Sequence, residues 1–227
     1  MPESDADAGA GVSLAPRGKV RFPTRERAAL RTREAIVTAA FTLFSEIGYS
    51  RTTMRSIAAA AGVSVESVNL AGPKRALLAA AFSVTFAGDE GDESLTDRPA
   101  LAQILAMPSL KDAVSAYVDL ITSSIARSAG IWAAIRTAAS EDDEVREMFE
   151  GMLQRRRNDI GQGASWLVSR GVVPPNALEE VTASLSVIVA HETYEHLVGQ
   201  FGWSMDRYRR WVETAIAQLI IAPHGTK

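Results

Sequence analysis

The sequence predicts an all-α fold, with a small N-terminal three-helix bundle and a larger C-terminal helical domain. Three observations carry that expectation. Apolar residues recur at three- and four-residue spacing in every segment of length. Ser or Thr tends to precede these segments, and Gly or Pro tends to follow them. No stretch alternates at a two-residue period between turn dipeptides, so no sheet is expected.

Residues 1–22 open with MPESDADAGAGVSLAP, acidic and built of small residues, and read as a disordered tail ending in a basic arm. The opening has neither the basic start nor the apolar centre of a signal peptide. In TREAIVTAAFTLFSEIGYS, Ile36, Ala39, Ala40, Leu43, Phe44 and Ile47 fall at helical spacing, and Gly48 ends the run. Thr52 or Thr53 caps a short alanine-rich helix closed by Gly62. Ser64 caps VESVNL. Pro73 then suits the first turn of a helix with Leu77, Leu78, Ala81, Phe82 and Val84 on one face. Residues 88–100, GDEGDESLTDRPA, read as a loop. Four further segments follow: LKDAVSAYVDLITSSIARSA up to Gly130, IWAAIRTAAS, a long helix capped by Ser140 and stopped by Gly171, and a helix from Leu178 to Leu197. Ser204 caps the last helix, which Pro223 ends.

Composition excludes several classes. The chain has no cysteine, so disulfides, thiolate zinc sites and thiol redox chemistry are out, and a cytoplasmic protein is expected. The longest apolar run, Ala76–Phe82, is far short of the roughly 18 residues a membrane span needs. There is no Gly-rich phosphate loop and no recognisable Ser/His/Asp spacing, so neither an enzyme nor a bound cofactor is expected.

Charge is distributed unevenly. Residues 17–75 carry eleven bases and four acids, net +7, whereas residues 76–227 carry thirteen bases and twenty acids, net −7. A basic head on an acidic body is the footprint of nucleic-acid binding. The chain divides accordingly into a tail with basic arm (1–22), a head (23–75) and a body (76–227).

The head contains a constrained pattern. Two helices crossing at a short turn need a glycine at the turn, a small residue one turn earlier, and apolar residues at the buried positions. Counting from Met54, Ile57 and Ala58 stand fourth and fifth, Ala61 and Gly62 eighth and ninth, Val63 tenth, Val68 fifteenth and Ala71 eighteenth. Every constrained position is met. This is a helix-turn-helix, whose second helix enters the DNA major groove; an ordinary helical corner is the alternative, and the basic flank weighs against it.

With AAFTLFSEIGYSRTTMRSIAAAAGVS and KRALLAAAF in place, Arg33–Phe82 resembles the TetR family of bacterial transcriptional regulators. The resemblance implies a homodimer whose two helix-turn-helix units bind successive major grooves of a near-palindromic operator. A small effector in the body would release the DNA, as in a repressor. By the same resemblance Thr52, Thr53 and Arg55 touch phosphate, Ser64, Val65, Glu66, Ser67 and Asn69 lie on the recognition helix, and Lys74 meets phosphate at the next helix start. Arg31 joins the basic set. The basic arm reaches phosphate or a minor groove, or is a solvated tail.

The chain departs from the family at one place. Asn69 stands where a tyrosine is usual, and a following Tyr-Phe pair is replaced by Ala71 in a connection about one residue shorter. Asn69 either pairs with adenine or bonds locally. A helical homodimer with altered or lost DNA binding, and a regulator without a small-molecule trigger, remain alternatives.

In the body, the helix from Leu178 is apolar nearly all round between Val181 and Ala190. Val181, Leu185 and Ile188, with Tyr208, Trp211, Ala215, Ile216 and Leu219 of the last helix, suit a four-helix dimer interface; a central core helix is the other reading. Tyr117, Trp132, Met148, Phe149, Met152 and Trp166 are candidates for contacts to an apolar or aromatic effector, or are simply core. His191, Glu192, Glu195 and His196 are read as ion pairs or interface contacts rather than metal ligands, because histidines five apart diverge on a helix. Arg155–Arg157 read as a solvated helix face.

Overall fold

The computed structural model describes residues 23–91 and 94–224, so the tail with its basic arm, 1–22, lies outside the described residues. The described chain is all-α, with ten α-helices and no strand among the described residues.

Helix α1 (Pro23–Ile47) begins nine residues before the periodic run, so the second half of the basic segment is helical. Helices α2 (Met54–Ala61) and α3 (Val65–Ala71) form the helix-turn-helix. Thr53 caps α2 by taking the Ser56 N–H, and Gly62 ends it at φ 67°, the left-handed conformation the turn requires. Ser64 caps α3. Ile57, Val68 and Phe44 are fully buried, joined by Leu77 and Leu78 of α4 (Lys74–Ala87).

The same core continues into the body through Ile131 and Ile135 of α6 (Leu110–Ala139) and Val145 of α7 (Asp143–Ser169). Gly130 does not break α6, which is one 30-residue helix. A Cβ at Gly130 would stand 3.3 Å from the Ser45 Cβ, so glycine there lets α6 approach α1 closely. Helix α7 is capped by Asp142, not Ser140; the carboxylate takes two N–H groups, those of Glu144 and Val145. A short 3₁₀ turn (Leu95–Asp97) and helix α5 (Pro99–Leu105) fill part of the expected loop. Trp166 Nε1 donates to Leu105 O at 2.9 Å and ties α5 to α7.

The expected helix from Leu178 to Leu197 is broken. Helix α8 (Leu178–Ile188) stops at Val189, and α9 (His191–Tyr194) restarts and widens into a π turn over Glu195–Gln200. The Thr193 hydroxyl donates to Val187 O at 2.6 Å, and Arg156 Nη2 donates to Ser186 O and Val189 O, so the carbonyls freed at the break are satisfied by side chains. Helix α10 (Met205–Ala215), capped by Ser204, likewise ends in a π turn.

Val181, Leu185 and Ile188 of α8 are buried within the single chain, together with Tyr208, Ala215 and Ile216. They pack into the body's own core with Val118, Ile125 and Leu167, which corrects their expected place at a dimer interface. Trp211 is half-buried, whereas Leu219 is 62% exposed and Val187, on the opposite side of α8 from the buried stripe, 65% exposed.

Candidate nucleic-acid interface and buried cavity

The outer face of the helix-turn-helix follows from its buried one. With Val68 fully buried and Ala71 half-buried, α3 turns Val65, Glu66, Asn69 and Leu70 outward. Leu70 is 82% exposed, a bare apolar side chain beside Asn69 that the sequence reading passed over. Its signal was its register, next to Asn69 and off the buried stripe. Ser64 and Ser67 bond to each other at 2.9 Å and fix the start of the helix.

Arg31, Thr53 and Arg55 are exposed. Thr52 is not: it is 1% exposed, and its hydroxyl donates to Gly48 O at 2.8 Å. The phosphate contact expected of its side chain is therefore corrected, since Thr52 locks the turn between α1 and α2. Lys74 is half-buried, with Nζ 4.1 Å from the centre of the Tyr49 ring, and burial draws its pKa below the usual lysine value. Tyr49 in turn packs on Phe44. An aromatic ring from the α1–α2 turn thus braces the start of α4.

The shortened connection is carried by Gly72 at φ 131°, a conformation that L side chains rarely adopt. Arg33 of α1 bonds the Ala71 carbonyl at the end of α3 and pairs with Glu90 at 2.6 Å. The start of α4 is fastened to the body by Arg75–Glu144 at 2.7 Å, and Ser50 donates to Glu141 at 2.7 Å.

Below this head lies a cavity of about 320 Å³, a size suited to a small organic ligand. Of the expected contacts, Tyr117, Trp132, Met152 and Trp166 line it. Met148 and Phe149 do not; they pack against the head's core, and Phe149 meets Trp132 edge-on. Phe82 and Phe86 of α4, stacked with centroids 5.3 Å apart, form a wall that the sequence reading missed. Arg156 also lines the cavity, so the solvated face expected of Arg155–Arg157 is corrected at its middle residue.

His191 also lines the cavity. It is 3% exposed, stacked on Trp132 at 4.4 Å and flanked by Phe82 and Phe86. Burial lowers its pKa from 6.5 to about 3, and the Arg156 charge adds to that, so the ring is neutral near pH 7. Ser128 Oγ donates to Ser124 O at 2.7 Å, which leaves its oxygen to accept from His191 Nε2–H at 2.8 Å. Nδ1 is then the unprotonated nitrogen, buried without a hydrogen-bond partner among the described residues. The neighbouring acids do form ion pairs: Arg136 meets Glu195 at 3.2 Å and Glu192 at 3.6 Å. Burial alone would raise the Glu192 pKa, but the Trp132 N–H, a backbone N–H and the two arginines outweigh it and hold it low. His196 is exposed and bonds Gln200. Among the described residues no group of three or more acidic or histidine side chains is placed to hold a metal ion.

Residues 36–81 match the model of the family "Bacterial regulatory proteins, tetR family". No curated protein matches the sequence. Several solved structures share the fold at low identity. A candidate transcriptional regulator from Saccharomonospora viridis, solved with choline, is 17% identical with a TM-score of 0.62, covering 83% of this chain and 97% of that one. A candidate TetR-family regulator from Mesorhizobium loti is 16% identical with a TM-score of 0.65, covering 87% and 98%. The repressor MexZ of Pseudomonas aeruginosa is 20% identical with a TM-score of 0.53, covering 83% and 94%. The helix-turn-helix and the match over residues 36–81 thus identify a TetR-type DNA-binding head, and the chain shares the all-α fold of these regulators.

Proposed function

We propose that the protein is a ligand-responsive repressor that binds a near-palindromic operator as a homodimer and is released by a small apolar or aromatic effector. It is read as a cytoplasmic binding protein and not an enzyme, with residues 23–75 as its DNA-binding unit and 76–227 as its ligand-binding and dimerisation unit. One observation carries the reading: Phe82 and Phe86, which wall the cavity, belong to α4, the helix that directly follows the recognition helix. An occupant of the cavity touches the element that sets the aim of α3. The choline bound by the similarly folded protein from S. viridis supports an occupant of small-molecule size.

In this reading Arg31, Thr53, Arg55 and Lys74 serve the phosphates, and Val65, Glu66, Ser67 and Asn69 face the bases. Leu70 adds an apolar contact suited to a thymine methyl. Two chains pair through the outer faces of α8 and the C-terminal helix, where Val187, Leu219 and Trp211 remain accessible.

Fluorescence anisotropy with DNA from the promoters of the neighbouring genes tests this. Specific binding that weakens steeply with salt supports it. Binding no tighter than to random DNA would leave a helical dimer without operator recognition.

A further inference from the structure

The cavity wall is mainly apolar, and the sharpest exception is a cation. Arg156 rises from the middle of α7, and its Nη2 donates to Ser186 O at 2.8 Å and Val189 O at 3.2 Å. Its Nε and Nη1 have no hydrogen-bond partner among the described residues. Burial pulls its pKa below the usual arginine value, the mark of a guanidinium short of water. Glu192, the carboxylate it feels most, is already engaged by Trp132 and Arg136. Asp159, the one carboxylate among the lining residues, takes the Ser94 hydroxyl at 2.5 Å.

Tyr117 lies within the field of Arg156. Burial pushes its phenol up to about 12, so it is a neutral O–H donor, and its hydroxyl has no hydrogen-bond partner among the described residues. A partly desolvated guanidinium with donors to spare, next to a spare hydroxyl, is costly when empty and favourable when an anion meets both. Two further arginines, Arg98 and Arg155, line the cavity. Arg98 is matched by Asp89. A quaternary ammonium head would face the same guanidinium with the wrong sign.

We propose that the cavity takes an organic monoanion, a carboxylate on an apolar body, with its head on Arg156 and Tyr117 and its body among Phe82, Phe86, Leu101 and Trp166. The proposal rests on the reading of the cavity as the effector site and names the effector's chemical class. It also gives the head a route outward. Arg156 holds the carbonyls at the end of α8, so a carboxylate that draws the guanidinium into the cavity loosens the α8–α9 break.

Three probes with one chain and different heads test it: decanoate, decan-1-ol and decyltrimethylammonium, each below its micelle threshold. Trp132 and Trp166 line the cavity, so intrinsic fluorescence of the full-length protein reports occupancy. Decanoate should bind about tenfold or more tighter than the alcohol, the range of a hydrogen bond to a charged group. The ammonium should bind weakest. In Arg156→Gln the preference for decanoate over decanol should vanish with decanol binding retained, and Arg156→Lys should keep part of it. Equal affinity for the three heads, tightest binding of the ammonium, or no binding of decanoate overturns the proposal on the unmodified protein alone. Anisotropy with operator DNA separates the two layers. Decanoate bound preferentially without DNA release upholds the chemical class and sinks the effector reading; release by decanol or the ammonium, with decanoate inert, does the reverse.

Discussion

His191 makes the fold sensitive to mild acid in a way that can be measured. The ring is 3% exposed and stacked between aromatic neighbours, and its folded pKa is about 3 against 6.5 for a free imidazole. Below pH 6.5 the unfolded chain takes up a proton at this residue that the folded chain refuses. The stabilisation from the neutral ring is therefore complete above pH 6.5 and is lost as pH falls toward 3. One pKa unit corresponds to about 1.4 kcal/mol, so at about pH 5 the folded state should have lost about 2 kcal/mol through this one group. The comparison is with His191→Gln, whose amide N–H still reaches for Ser128 Oγ but does not titrate. Urea unfolding, followed by far-UV circular dichroism at fixed protein concentration, gives the stability of each protein at about pH 7.5 and about pH 5. Other titrations cancel in the difference between the two proteins. The wild type should lose about 2 kcal/mol more than the variant over that interval. Equal losses would show that the imidazole is protonated in place, and the reasoning from burial would fail.

Other perturbations separate the roles assigned to the head and the dimer face. Asn69→Ala should change which operator sequences are preferred, whereas Lys74→Ala should weaken all sequences alike and reduce the salt slope by about one, both read by anisotropy. Gly72→Ala should cost about 1–3 kcal/mol in thermal unfolding, because the connection between α3 and α4 holds φ at 131°. Val187→Asp combined with Leu219→Asp should shift the protein toward monomer in sedimentation velocity without unfolding it, since both side chains are already exposed in the single chain.

The helix-turn-helix was legible because its rules are steric and local. A left-handed turn at Gly62, small Ala58 before it and buried Ile57 and Val68 can each be read one position at a time. What the sequence left open depends on which neighbour a residue meets. Thr52 and Thr53 are both good caps on paper, and only the packing decides that Thr53 caps while Thr52 is buried. Val181, Leu185 and Ile188 announce an apolar face, but periodicity cannot say whether a partner or the chain's own α6 and α7 covers it. Arg156 was hidden between two exposed arginines, and its inward turn follows from the broken end of α8, itself concealed in a continuous apolar run. Phe82 and Phe86 were visible as helix-face residues, yet nothing local distinguishes a cavity wall from a core.

The near-contact of Gly130 with Ser45 has a mechanical consequence. Helix α6 is a rod about 45 Å long whose first half lies in the body's core and whose last turns lie in the head's core. At Gly130 the helix backbone comes close to α1, and the Ser45 hydroxyl is buried there without a hydrogen-bond partner among the described residues. Just beyond it Ile131, Ala134 and Ile135 of α6 share one buried core with Ile36, Ala40 and Phe44 of α1. The end of the rod is therefore built into the head: the two move as one piece, and a tilt of α6 is a tilt of the helix-turn-helix.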